Sequence, residues 1–124
     1  MNNTRTKMIL LLVGIFTLIV VGCGAPTTKD ILDINLKDHT NLVLHIHPHL
    51  EITINGEKVL VPANIGISPE GMRVIHTHDD TGKLHIEAPV PHQFYLKDFF
   101  EIWGKTLTES CVMDNCVDST HTLQ

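Results

Sequence analysis

Leu42-Val-Leu-His45-Ile-His47-Pro-His49-Leu-Glu51-Ile-Thr-Ile-Asn55-Gly56 carries an alternating pattern that sets the fold class. Apolar residues fall at Leu44, Ile46, Leu50, Ile52 and Ile54, and polar ones at His45, His47, His49, Glu51 and Thr53. Successive side chains of a strand point to opposite faces, so this period of two predicts a β-strand with one buried and one open face. Asn55-Gly56 predicts a tight hairpin turn, because both central positions of that turn need φ > 0. Glu57 to Val61 is then the return strand, ended by Pro62.

Working outward, Met72 to His78 has strand composition, and Asp79-Asp80-Thr81-Gly82 supplies the side-chain acceptors and the φ > 0 position of a reversal. Leu84-His85-Ile86-Glu87 follows as the return strand of a second hairpin, closed by Pro89 and Pro91. From Leu96 the period lengthens: Phe99, Phe100, Ile102 and Trp103 lie within two turns and Gly104 stands where a helix ends, which predicts one short helix near residues 97 to 103 with the three aromatics facing the core. The expected fold is mainly β, a small antiparallel sheet or sandwich built from hairpins with one capping helix. Residues 42 to 107 form this domain, and 108 to 124 form a tail with Cys111, Met113 and Cys116.

In the other direction, Arg5 and Lys7 precede an uncharged apolar run from Met8 to Val21, the order of a secretory signal. The run is short for a spanning helix, which needs about 20 apolar residues. Val20-Val21-Gly22-Cys23 resembles the lipobox of prokaryotic lipoproteins, in which the cysteine is lipidated. Residues 1 to 22 are therefore expected to be a signal peptide, Cys23 a lipid anchor, and 23 to 41 a tether and irregular entry segment. The protein is expected to be exported and held at the membrane, the cell surface or the periplasmic side. Without the signal, seven basic side chains face fourteen acidic ones, a formal charge of −7, which repels a phosphate backbone and excludes nucleic acid as a partner. Outside the cytoplasm, Cys111 and Cys116 read as a disulfide or, with Met113, as a soft metal site.

Nine histidines in 124 residues call for an explanation. His45, His47 and His49 share one strand face, stepping by about 6.6 Å, and His76 and His78 share another. Across the second turn, His85 can lie beside His76 or His78. Neutral imidazole binds divalent transition metals, and three or four on a rigid sheet suffice. His45, His47, His49, His76, His78 and His85 are the candidate ligands. Glu51, Asp79 and Glu87 are placed to hold a ring N–H or to add an oxygen ligand. His39, His92 and His121 read as surface or rim residues. Copper is the first choice of cofactor, because Cu²⁺ heads the affinity order for nitrogen donors, and zinc the second.

The blocks His45-x-His47-Pro-x-Leu50, Asn55-Gly56, Pro62-Ala-x-Ile-Gly66-Ile67, Ile75-His-Thr-His-Asp79-x-Thr-Gly82-x-x-His85-Ile-Glu87 and Asp98-Phe-Phe-x-x-Trp-Gly104 resemble a largely uncharacterised family of exported proteins in archaea and actinobacteria. The likeness spans about residues 42 to 107, supports the same histidines as a unit and brings no known activity. Members of that family continue beyond the second cysteine with a further strand, so a shortened C-terminus is an expectation here. His45-x-His47-x-x-x-Glu51 with Gly56 also resembles the first cupin motif, but the second motif needs a histidine soon after Pro62 and Ile65-Gly66-Ile67 has none.

Three functions compete. The first is a non-enzymatic, lipid-anchored metal-binding protein that sequesters, buffers or delivers copper or zinc. It is favoured by the six clustered histidines and by the lack of a recognisable nucleophile–base pair or phosphate loop. The second is a metalloenzyme of cupin-like or other non-haem type. The third is a pH-sensing or partner-binding surface module.

Overall fold

The structure is a computed structural model that describes residues 31–124; the expected signal peptide, Cys23 and the start of the expected tether lie outside them. The described chain is mainly β, with ten short strands in small antiparallel sheets and one helix, α1 (Leu96–Trp103), beside a helical turn at Ile31 and Leu32.

The strands are β1 (Asn35–Leu36), β2 (Leu44–Ile46), β3 (Ile52–Ile54), β4 (Glu57–Val59), β5 (Ile67–Ser68), β6 (Gly71–Arg73), β7 (Ile75–His76), β8 (His85–Ala88), β9 (Cys111–Val112) and β10 (Asn115–Cys116). The Asn-Gly hairpin forms as read: β3 pairs with β4, and Asn55 and Gly56 take φ of 52° and 85°. The stretch before it is not one strand. β2 pairs with β8, Leu44 opposite Ala88 and Ile46 opposite Ile86. The same register runs on through Leu84 N to Pro48 O and Leu50 N to Gly82 O, after which the chain changes partner to β4. Pro48 has no N–H to give to a ladder, so regular pairing lapses where it stands.

The second histidine stretch also divides. β6 joins β1 and β5, whereas β7 pairs with β8, with His76 opposite His85. β8 is thus the central strand of the sheet β2-β8-β7 and receives histidine strands on both edges. The turn between them is held by Asp79, whose Oδ1 accepts from Thr81 N at 3.0 Å, and by Gly82 at φ 86°.

Ile52, Val61, Ile65, Val74, Ile75, Leu84, Phe99 and Phe100 form the core together with Ile31 and Leu32. α1 packs on β7, burying Phe99 and Phe100 while Trp103 is half-buried, and the helix ends at Gly104 with φ 70°. At its start, Asp98 accepts a 2.8 Å bond from the Tyr95 N–H, satisfying a donor the helix leaves open. Ile46, expected on the buried face, is 48% exposed, because β2 is an edge strand whose apolar side lies open among the described residues. Cys111 and Cys116 are joined as a disulfide that closes the β9–β10 hairpin, so they are not thiolate ligands, and Met113 takes φ 53° in its turn and packs on the core.

Candidate metal centre

The two Leu-His-Ile runs at residues 44–46 and 84–86 are brought side by side, and cross-strand register does the rest. On one face of the sheet, β8 presents His85 and Glu87, β2 presents His45 opposite Glu87, and β7 presents His76 opposite His85. His47 and His78 follow His45 and His76 by two residues, just past the ends of β2 and β7, and turn onto the same face. The His47 and His85 ring centres are 4.3 Å apart, and those of His78 and His85 4.6 Å.

The nitrogen atoms converge in pairs. His45 Nε2 is 3.1 Å from His47 Nε2, and His76 Nε2 is 3.2 Å from His78 Nε2. Two nitrogens bound tetrahedrally at the usual zinc distance stand ~3.3 Å apart, so each pair has the spacing of one edge of a metal's coordination shell. Three overlapping groups of donor atoms lie within 4.8 Å of one another: His45, His47, His85 and Glu87; His76, His78 and His85; His39, His76 and Glu87.

Glu87 is the centre of this arrangement. Its side chain is fully buried, and among the described residues its ionic partners are all histidines: His39 Nδ1 at 2.7 Å from Oε2, His45 Nε2 at 3.1 Å and His85 Nδ1 at 3.4 Å from Oε1. Burial pushes its carboxyl up, but the hydrogen bond and charge of His39, foremost, and the hydrogen bond of His85 work against burial, and the carboxyl stands below the usual range. A buried carboxylate kept ionised needs a positive charge beside it, from a protonated imidazole or a bound cation.

His76 cannot easily be that cation. It is fully buried, and burial drives its pKa down to about 4, against the opposing pull of the Arg73 carbonyl and Glu87. His85 is lowered as well, again by burial first, with His47 and His78 adding to it. Both are therefore neutral near pH 7, the form that binds metal. His76 Nδ1 stands 2.8 Å from the Arg73 carbonyl, which only accepts, so Nδ1 carries the proton and Nε2 offers its lone pair toward His78.

The His76-Thr77-His78 segment is locked from behind. Thr77 is fully buried; its Oγ1 donates to Pro62 O at 2.8 Å and accepts from Ile65 N at 3.0 Å. Its backbone N–H reaches Ile65 O at 3.1 Å and its carbonyl accepts from Asn64 N at 2.9 Å. The Pro62-Ala-Asn-Ile-Gly66 loop is thus the clamp that aims the two flanking imidazoles forward. Gly66 permits it at φ 71°, where a Cβ would stand 2.6 Å from Ile75 O.

Of the expected ligands, the structure brings together His45, His47, His76, His78 and His85, with Glu87 among them. His49 stays apart. It lies at the far end of the β2 face, opposite Lys83, which offers no partner ligand, and its ring sits over Gly82. Glu51 is exposed and paired with Lys58, and Asp79 is used by its own turn, so neither enters a group and the cupin-like set of His45, His47 and Glu51 does not assemble. His39 is exposed, as expected, and yet it is the donor the sequence reading left out: its Nδ1 stands 2.7 Å from Glu87 Oε2 and it falls in one group with His76. No local period marks it, since it lies in the irregular segment before β2. His92 packs edge-on against Phe94 and His121 bonds to Asp118, both outside the groups. Compared with known proteins, the chain matches no family model, no curated protein and no solved structure.

Proposed function

We propose that this is an exported, lipid-anchored protein that binds transition-metal ions, copper in first place and zinc in second, to sequester, buffer or deliver them. The observation that carries the metal-binding reading is Glu87: a buried carboxylate, kept ionised, ringed by imidazoles of which at least two are neutral at pH 7. Imidazole-dominated donors with one carboxylate suit copper and zinc and disfavour magnesium or calcium, which take oxygen. The anchor and the export rest on the signal-like N-terminus and the lipobox-like Val20 to Cys23.

The test is elemental analysis of the chain, purified without a histidine tag from cells supplied with copper, zinc, iron and manganese together. Copper or zinc at one equivalent or more supports the reading; a folded chain that holds no metal and takes up none defeats it. Metabolic labelling with a fatty acid, lost in Cys23→Ser, tests the anchor separately. A metalloenzyme is the second reading. It is favoured by the exposure of His45, His47 and His78, which leaves the ligand side open to solvent and hence a coordination position open to substrate.

A further inference from the structure

On the basis of the metal-binding reading, and resting on it, we propose that the cluster holds two divalent transition-metal ions side by side. One sits on His45, His47 and Glu87, and the other on His76, His78 and His85.

Six imidazoles and a carboxylate exceed what one four-coordinate ion takes, and a neutral imidazole has a single ring lone pair and so serves one ion. The donors do not converge on one point. Among the described residues, no group within 4.8 Å joins His45 or His47 to His76 or His78. They form two pairs on opposite edges of β8, with Nε2 spacings of 3.1 and 3.2 Å. Each pair has a third donor within reach; His85 stands within 4.8 Å of both pairs and is left to His76 and His78, because Glu87 already serves His45 and His47. Glu87 Oε1 is 3.1 Å from His45 Nε2, close to the spacing within that pair, and His85 lies within 4.8 Å of both His76 and His78.

The hydrogen bonds around the cluster agree with this division. His76 gives its Nδ1 proton to the Arg73 carbonyl, and His85 Nδ1 faces Glu87 Oε1 at 3.4 Å, so both present Nε2 lone pairs to the second ion. His39 holds Glu87 Oε2 at 2.7 Å, leaving Oε1 for the first. Glu87 is therefore a ligand of one ion and the outer support of a ligand of the other, and three protein donors leave each ion a further position for water.

The experiment counts ions on the full chain by native mass spectrometry after loading with Cu²⁺ or Zn²⁺ and removing excess, alongside electron paramagnetic resonance of the Cu²⁺ form. His47 and His78 are exposed, so His47→Ala and His78→Ala are chosen to spare the core. Two equivalents in the parent chain with a spin-coupled Cu²⁺ spectrum, and one equivalent with an isolated Cu²⁺ spectrum in each variant, is the expected result. One equivalent in the parent chain overturns the two-ion centre and leaves the metal-binding reading standing. Two equivalents untouched by either substitution overturn the assignment of these residues, and no retained metal overturns both readings.

Discussion

Glu87 lies directly across the ladder from His45, with Oε1 3.1 Å from His45 Nε2, and it is wholly buried while the His45 side chain is 45% exposed. The carboxylate is the inner wall of the cluster and the imidazole its outer one. Glu87→Gln keeps the volume and removes the charge. It is expected to weaken copper or zinc binding by roughly 100-fold, and His39→Ala, which only removes the bond to Oε2, by roughly 10-fold. Competition against a chelator of known affinity measures both, and equal affinities in all three chains would refute the central place given to Glu87.

The strand period places His49 and Glu51 with the other candidates, but in the fold they stand outside the donor groups. His49→Ala and Glu51→Ala are therefore expected to leave metal stoichiometry and affinity within a factor of about two, as surface changes that touch no binding group should. Isothermal titration of the two variants decides this, and a lost equivalent in either one contradicts the placement.

Thr77 sets the direction of the two histidines beside it. Thr77→Val preserves the shape and strands the Ile65 N–H and the Pro62 carbonyl without their partner. The expected cost is about 2–3 kcal/mol of stability, together with weaker metal binding, although Thr77 is no ligand. Urea unfolding and chelator competition on the same variant report the two effects.

The metal-free chain is expected to lose stability as pH falls. His76 has a folded pKa of about 4, below the ordinary 6.5, so between these values the unfolded chain binds the proton more readily than the folded one. Stability then rises with pH across that window and is lost in the reverse direction, by an amount on the order of 2 kcal/mol after allowance for solvent screening. The lowered pKa of His85 acts in the same sense, and that of Glu87 extends the loss below its ordinary value of 4.5. Urea midpoints at pH 7, 5.5 and 4 measure the slope. His76→Asn, which can still donate to the Arg73 carbonyl but does not titrate, should flatten it.

The disulfide closes a loop of few residues, for which chain-entropy arguments give about 2 kcal/mol of stabilisation. Replacing Cys111 and Cys116 together by Ser is expected to lower the thermal midpoint and to leave the metal count unchanged, because the β9–β10 hairpin contributes no donor to the groups around Glu87. A lost ion in that variant would return the cysteines to the site.

Features set by neighbours along the chain were legible in the residues alone. Asn55-Gly56 has one good conformation, a turn with both φ positive, and it forms. The aromatic spacing ending at Gly104 makes the helix, the β class follows from alternation, and parity puts His45 with His47 and His76 with His78. The partner of β2 was not legible in this way, because β8 lies some 40 residues along the chain, whereas β7 and β8 meet across the short turn that reads as a hairpin. The period of two holds equally for one long strand and for β2 and β3 paired to different neighbours. Only the tertiary structure laid β2 on β8, set Glu87 against His45 and His85 against His76, left His49 one step beyond the last donor, and brought His39 in from an unpatterned segment. The physical reason is that register is chosen by burial of the whole sheet: Val74, Ile75 and Leu84 must meet Phe99 and Phe100, and the histidines are carried to their places by that requirement.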